Sequence, residues 1–125
     1  MCSTIATPTM TTTSRRQRGW KTQRIIAEYL QTHGFPTAKA GKPFQAGADV
    51  LGVAGVDIEV KAQKDIDRLA ALRQSHARPG DVHLIFERPN GYGEQTLDRW
   101  PVTVTIAEIV RLLRLAGYGD PIEGA

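Results

Sequence analysis

Cysteine is nearly absent from this chain. Cys2 stands alone, which excludes an internal disulfide and a cysteine-ligated zinc site. The histidines, His33, His76 and His83, are too scattered for a metal-ligand motif. No apolar run approaches the roughly 20 residues needed to cross a bilayer, so no membrane partner is expected. The Thr-rich N-terminus lacks the apolar stretch of a signal peptide, and with so little cysteine a cytoplasmic protein is expected. Acids are missing from one stretch in particular. Arg15, Arg16, Arg18, Lys21 and Arg24 follow one another with none between them.

What is present suits a single domain. The chain has 125 residues, 41% hydrophobic and 23% charged, close to the globular average. The net charge of +3 and a pI of about 9.3 are compatible with a polyanionic partner. Residues 1–13 carry few large apolar groups and read as a disordered tail. Residues 14–120 read as the folded domain, and 121–125 as a C-terminal tail.

The first helix is expected from Ser14, a plausible N-cap, to about His33, with Ile25, Ile26, Tyr29 and Leu30 as its apolar face. Gly34 reads as its C′ residue, and Pro36 confirms the stop. Gln17, Lys21, Arg24 and Glu28 share a flank beside the apolar face. Strands are expected at Thr37–Ala40, Asp49–Val53, Val56–Ala62, Val82–Glu87 and Val102–Val104. Ala54-Gly55 is the turn of a hairpin, and Pro89-Asn90-Gly91 is a second turn. Asp65 is the expected cap of a second helix running to about Ala77, with Ile66, Leu69, Ala70 and Arg73 on one side. Thr105 and Glu108 form a T-x-x-E capping box before a last helix. Its apolar residues, Ile106, Ile109, Val110, Leu112, Leu113 and Ala116, span an arc of about 160° and are expected to cover the sheet. The order α-β-β-β-α-β-β-α describes a mixed α/β (α+β) domain, a central mixed β-sheet flanked by helices.

The chemistry gathers on one strand. Side chains alternate between faces, so Val56, Ile58, Val60 and Ala62 point to a core. Asp57, Glu59, Lys61 and Gln63 point the other way. Hairpin pairing brings Asp49 beside Glu59, so that carboxylates and an ammonium share a small area. Carboxylates are hard oxygen ligands that hold Mg²⁺, which polarises a phosphoryl oxygen and lowers the pKa of a water. A neighbouring lysine stabilises developing negative charge. Glu59 and Lys61 lie on one side because they are two apart. Val60 anchors the strand between them, and its carbonyl is a further candidate metal ligand.

Asp49, nine residues, then Glu59-Val60-Lys61 resembles the PD-(D/E)xK nuclease core. From Arg15 to Gly119 the chain also resembles small phage proteins of the Holliday junction resolvase type. The similar blocks are R-G-W-K-T-Q-R-I-I-A-E-Y-L, G-A-D-V, I-E-V-K, E-R-P-N-G, W-P-V and L-L-R-L-A-G-Y-G. The resemblance implies a restriction-endonuclease-like core and a metal centre at Asp49, Glu59 and Lys61. It implies Glu28 as a further ligand from the first helix, and Gln63 as support for Lys61 or a water. The choice of Asp49 over Asp57 rests on this spacing. Ala48 replaces the proline that usually precedes the first acid.

The expectation is a Mg²⁺-dependent endonuclease acting on branched DNA, with Mn²⁺ as a substitute and the host cytoplasm as its place if phage-encoded. Arg15, Arg16, Arg18, Lys21, Arg24, Lys39 and Lys42 are the expected phosphate contacts. Two symmetric cuts on a junction need two centres, hence an expected homodimer. The alternatives are a RecB-like exonuclease or a flap or nicking nuclease on the same core, and a non-catalytic DNA-binding module.

Overall fold

The computed structural model describes residues 12–41 and 47–121, with side chains in the first helix described from Gly19 onward. The expected tails therefore lie outside the described residues, apart from Thr12, Thr13 and Pro121. Lys42 lies outside them too, as do the side chains of Arg15, Arg16 and Arg18.

Helix α1 spans Thr12–Gln31, starting two residues before the expected cap. Its inward side is apolar as the spacing predicts: Ile25, Ile26 and Leu30 are buried, and Tyr29 is half-buried. Gly34 ends it with φ +99, a left-handed conformation that glycine adopts at no steric cost, and Phe35 N–H donates to the Leu30 carbonyl at 3.0 Å.

Five strands form one sheet in sequence order: β1 (Lys39–Ala40), β2 (Val50–Leu51), β3 (Val56–Lys61), β4 (Val82–Glu87) and β5 (Val102–Thr103). β1, β2 and β3 make an antiparallel meander. β3 and β4 run parallel, in register from Val56↔Val82 to Lys61↔Glu87, and β5 returns antiparallel to β4. Parallel neighbours need a crossover, which helix α2 (Arg68–His76) supplies. β2 is shorter than the expected 49–53. At Gly52, with φ +83, a Cβ would sit 1.9 Å from the Thr37 carbonyl oxygen, so only glycine admits this close approach and the chain turns away there.

On one face of the sheet α1 packs Ile26, Ala27 and Leu30 against Ala38, Val50, Ile58 and Trp100. Trp100 is thus a core side chain. By alternation Asp57 and Glu59 project from the opposite face. There α2 lies over them, and Ser75 of that helix bonds to Asp57 and His83. The polar face of β3 is therefore covered: Asp57 is 4% exposed and Glu59 8%.

Two helix expectations need correction. The cap of α2 is Asp67, not Asp65: Ala70 N–H donates to Asp67 Oδ1 at 3.0 Å. The Gln63 amide ties up the Asp65 carbonyl in the preceding bend, and the helix begins after it. The side of α2 that faces the sheet carries Ala71 and Ser75, while Leu69 is 68% exposed. Fit to buried polar groups chooses that side, where the sequence pattern favoured apolarity.

Helix α3 (Ile106–Leu115) is capped by Thr105 as expected, but the second half of the capping box is not made. Glu108 Oε2 instead accepts from His83 N–H of β4, and Arg111 reaches the Asp81 carbonyl. The polar Glu108 side turns inward, and the apolar side stays uncovered, with Ile106 81% exposed and Val110 and Leu113 also exposed. The expected apolar cover over the sheet is not there. A kinked 3₁₀ segment, Glu94–Arg99, occupies what the sequence left as loop. Among the described residues no helix is long and apolar enough to cross a membrane.

Replacing Asp67 with Ala should cost about 1 kcal/mol of stability in urea unfolding, the usual loss for an N-cap, whereas Asp65→Ala should leave the midpoint in place. The reverse order would restore the cap to Asp65.

Candidate functional site

The site forms where β2 falls short and β3 runs on. Asp49 precedes β2 by one residue, and its N–H donates to the Ile58 carbonyl at 2.9 Å, which extends the ladder past the strand. Two residues further along β3, Asp49 Oδ2 accepts from Val60 N–H at 2.7 Å. A side-chain carboxylate thus takes the place of the missing strand. The N–H and C=O of one strand residue leave the same edge, so the Val60 carbonyl faces the side that Asp49 occupies.

Four charged groups are within electrostatic reach of one another. Burial raises the pKa of Asp49; the Val60 hydrogen bond works against that rise, the Glu59 charge adds to it, and the charges of Lys61 and Arg78 oppose it. The net shift is upward. Asp49, Glu59 and Lys61, expected together from the sequence, are brought together. Arg78, just beyond α2, was not expected. No spacing relates it to β3; only the crossover helix delivers it.

Asp57 has a different environment. Burial works to raise its pKa, but hydrogen bonds from Arg78 and Ser75 and the charges of Arg78 and His83 hold it below the usual carboxylate value. Arg78 Nε donates to Oδ1 at 2.8 Å and Nη2 to Oδ2 at 3.0 Å, a bidentate pair. Glu87 on β4 is matched in the same way by Arg68, with a hydrogen bond from Thr103, and its pKa is likewise held down against the effect of burial. Glu59 has no such match. Among the described residues its nearest cation is Arg78 Nη2, 3.6 Å from Oε1, and its buried Oε2 has no hydrogen-bond partner.

The other expected residues are placed as follows. Gln63 lies two residues past the end of β3, where the alternation no longer holds, and its Nε2 donates to the Asp65 carbonyl at 2.8 Å. Glu28 is exposed and pairs with Arg24 at 3.8 Å along the helix surface. Lys21, Arg24 and Lys39 are exposed, and the Arg24 guanidinium stands 5.4 Å from the centre of the Trp20 ring.

A second group has metal-ligating atoms close together, His76, His83 and Glu108, all within 4.8 Å of one another. Its atoms are largely committed. His83 Nδ1 contacts Ser75 Oγ at 3.0 Å, its Nε2 contacts the Gly80 carbonyl at 3.1 Å, and its ring stacks on that of His76 at 4.3 Å. The sequence spacing hid this group because α2, β4 and α3 each supply one member.

Compared with family models, curated proteins and solved structures, the chain gives no match.

The opposite pKa shifts of the two aspartates have opposite consequences for stability. A raised pKa in the fold stabilises below the unfolded value of about 3.9 and is lost as pH rises through the folded one. Asp49→Asn should therefore raise the melting temperature at pH 7 without divalent cations, and the gain should close as pH falls below the carboxylate range. Asp57→Asn should lower it at pH 7, because a depressed pKa stabilises above the unfolded value and that stability is lost as pH falls through the folded one. Thermal melts across pH 3–8 check both signs.

Proposed function

We propose that this protein is a Mg²⁺-dependent DNA endonuclease that cuts branched DNA, with Asp49, Glu59 and Lys61 as its active centre. One observation carries the reading: among the described residues, Glu59 is the one buried acid of four that keeps a buried oxygen with no hydrogen-bond partner, beside a second carboxylate that burial disfavours in its charged form. A buried carboxylate oxygen with no hydrogen-bond donor is costly, and a divalent cation relieves that cost. The donor set is all oxygen and anionic, which suits Mg²⁺, with Mn²⁺ as a substitute, over softer ions.

Asp49, Glu59 and the Val60 carbonyl are the groups that would hold the ion. When bound, Mg²⁺ neutralises charge on the phosphoryl oxygens and makes a water acidic enough to attack at neutral pH. Lys61 supplies a positive charge on the same face of β3, where it stabilises the negative charge that grows on the phosphate. Hydrolysis joins the water oxygen to phosphorus and breaks the bond to the leaving sugar oxygen, which takes up a proton. Lys21 and Arg24, exposed on α1, and Lys39, exposed on β1, are cations for the DNA backbone. Two cuts across a junction call for two centres, so the reading includes a homodimer. Glu28 and Gln63 are not needed for it.

The test is cleavage of a four-way junction with Mg²⁺, set beside flap, linear and single-stranded DNA. Asp49→Asn, Glu59→Gln and Lys61→Ala should each lose on the order of 10²-fold or more in rate while still binding DNA with a salt-dependent affinity. Cleavage of linear ends alone would favour an exonuclease. Binding without any cleavage in Mg²⁺ or Mn²⁺ would leave a DNA-binding module.

A further inference from the structure

Asp57 and Glu59 stand two residues apart on one face of β3, both buried, so their charges repel unless a cation is shared between them. Arg78 is that cation. Its Nε and Nη2 grip both oxygens of Asp57, and the same Nη2 lies 3.6 Å from Glu59 Oε1. Asp57 is itself held by Ser75 Oγ and lies 3.8 Å from His83 Nδ1, so the guanidinium is fixed from behind. These partners leave Asp57 no free role as a ligand.

We infer that Arg78, clamped by Asp57, is a positioning residue for Glu59: by drawing Oε1 toward itself it leaves Oε2 as the oxygen presented to a divalent cation. The inference rests on the metal-dependent reading above. It has a sign that a merely electrostatic role lacks. Removing a positive charge beside a cation site tightens cation binding by simple Coulomb attraction. Removing the group that orients a ligand weakens it, by about 10–100-fold for supporting partners of metal ligands.

Mn²⁺ is titrated calorimetrically into the full chain and into Arg78→Gln and Arg78→Lys, with a melting temperature taken for each. The expected result is weaker Mn²⁺ binding by about tenfold or more in Arg78→Gln, with a smaller loss in Arg78→Lys, whose single ammonium keeps the charge but cannot hold both acids. If Arg78→Gln does not fold, a loss in a folded Arg78→Lys supports the inference, and wild-type affinity in it overturns it. Unchanged or tighter Mn²⁺ binding in Arg78→Gln overturns the positioning role and leaves the nuclease reading in place. No Mn²⁺ binding by the wild-type chain overturns both.

Discussion

Carboxylates buried against a sheet under a helix must each find a cation or a donor, and the structure is arranged around that demand. Helix α2 is bracketed by arginines, Arg68 at its start and Arg78 just past its end. The first grips Glu87 on β4 and the second grips Asp57 on β3. The helix is thereby pinned at both ends across the parallel pair that it connects. Removing either arginine leaves a buried carboxylate without its cation. Glu108 solves the same problem differently, by accepting from the His83 N–H that β5 is too short to reach.

Glu59 and Asp49 are the exceptions, and they are neighbours. Among the described residues neither has a bidentate partner, whereas Asp57 and Glu87 each have one. Among the same residues Glu59 keeps only the Arg78 contact at 3.6 Å, and Asp49 only the Val60 N–H. The short β2 makes the pair possible. Had the strand begun two residues earlier, the backbone of Ala48 would have stood opposite Val60, and the Asp49 carboxylate would have had no N–H to accept.

The two faces of β3 divide the work. Ile58 closes the apolar layer beneath α1, while the residues on either side of it carry charge toward α2. One strand therefore anchors itself and presents chemistry at once. At the far edge, α3 leaves its apolar residues uncovered because its tether to β4 runs through Glu108 and Arg111, and those contacts decide which side turns inward.

Strand positions, the fold class and the first helix face were legible in the sequence, since alternation and helical spacing are local properties that burial then enforces. The same alternation put Glu59 and Lys61 on one face, and the short link between β2 and β3 brought Asp49 to them. It failed at Gln63, because alternation ends with the strand. It failed for α2 and α3 as well, because a pattern of apolar residues assumes an apolar floor, and here the helices meet buried charges. Arg78, the clamp on Asp57, the burial of the polar face and the His76–His83–Glu108 cluster came only from the tertiary structure. Each depends on where a crossover helix lands on a sheet, a matter of long-range packing that no residue spacing encodes.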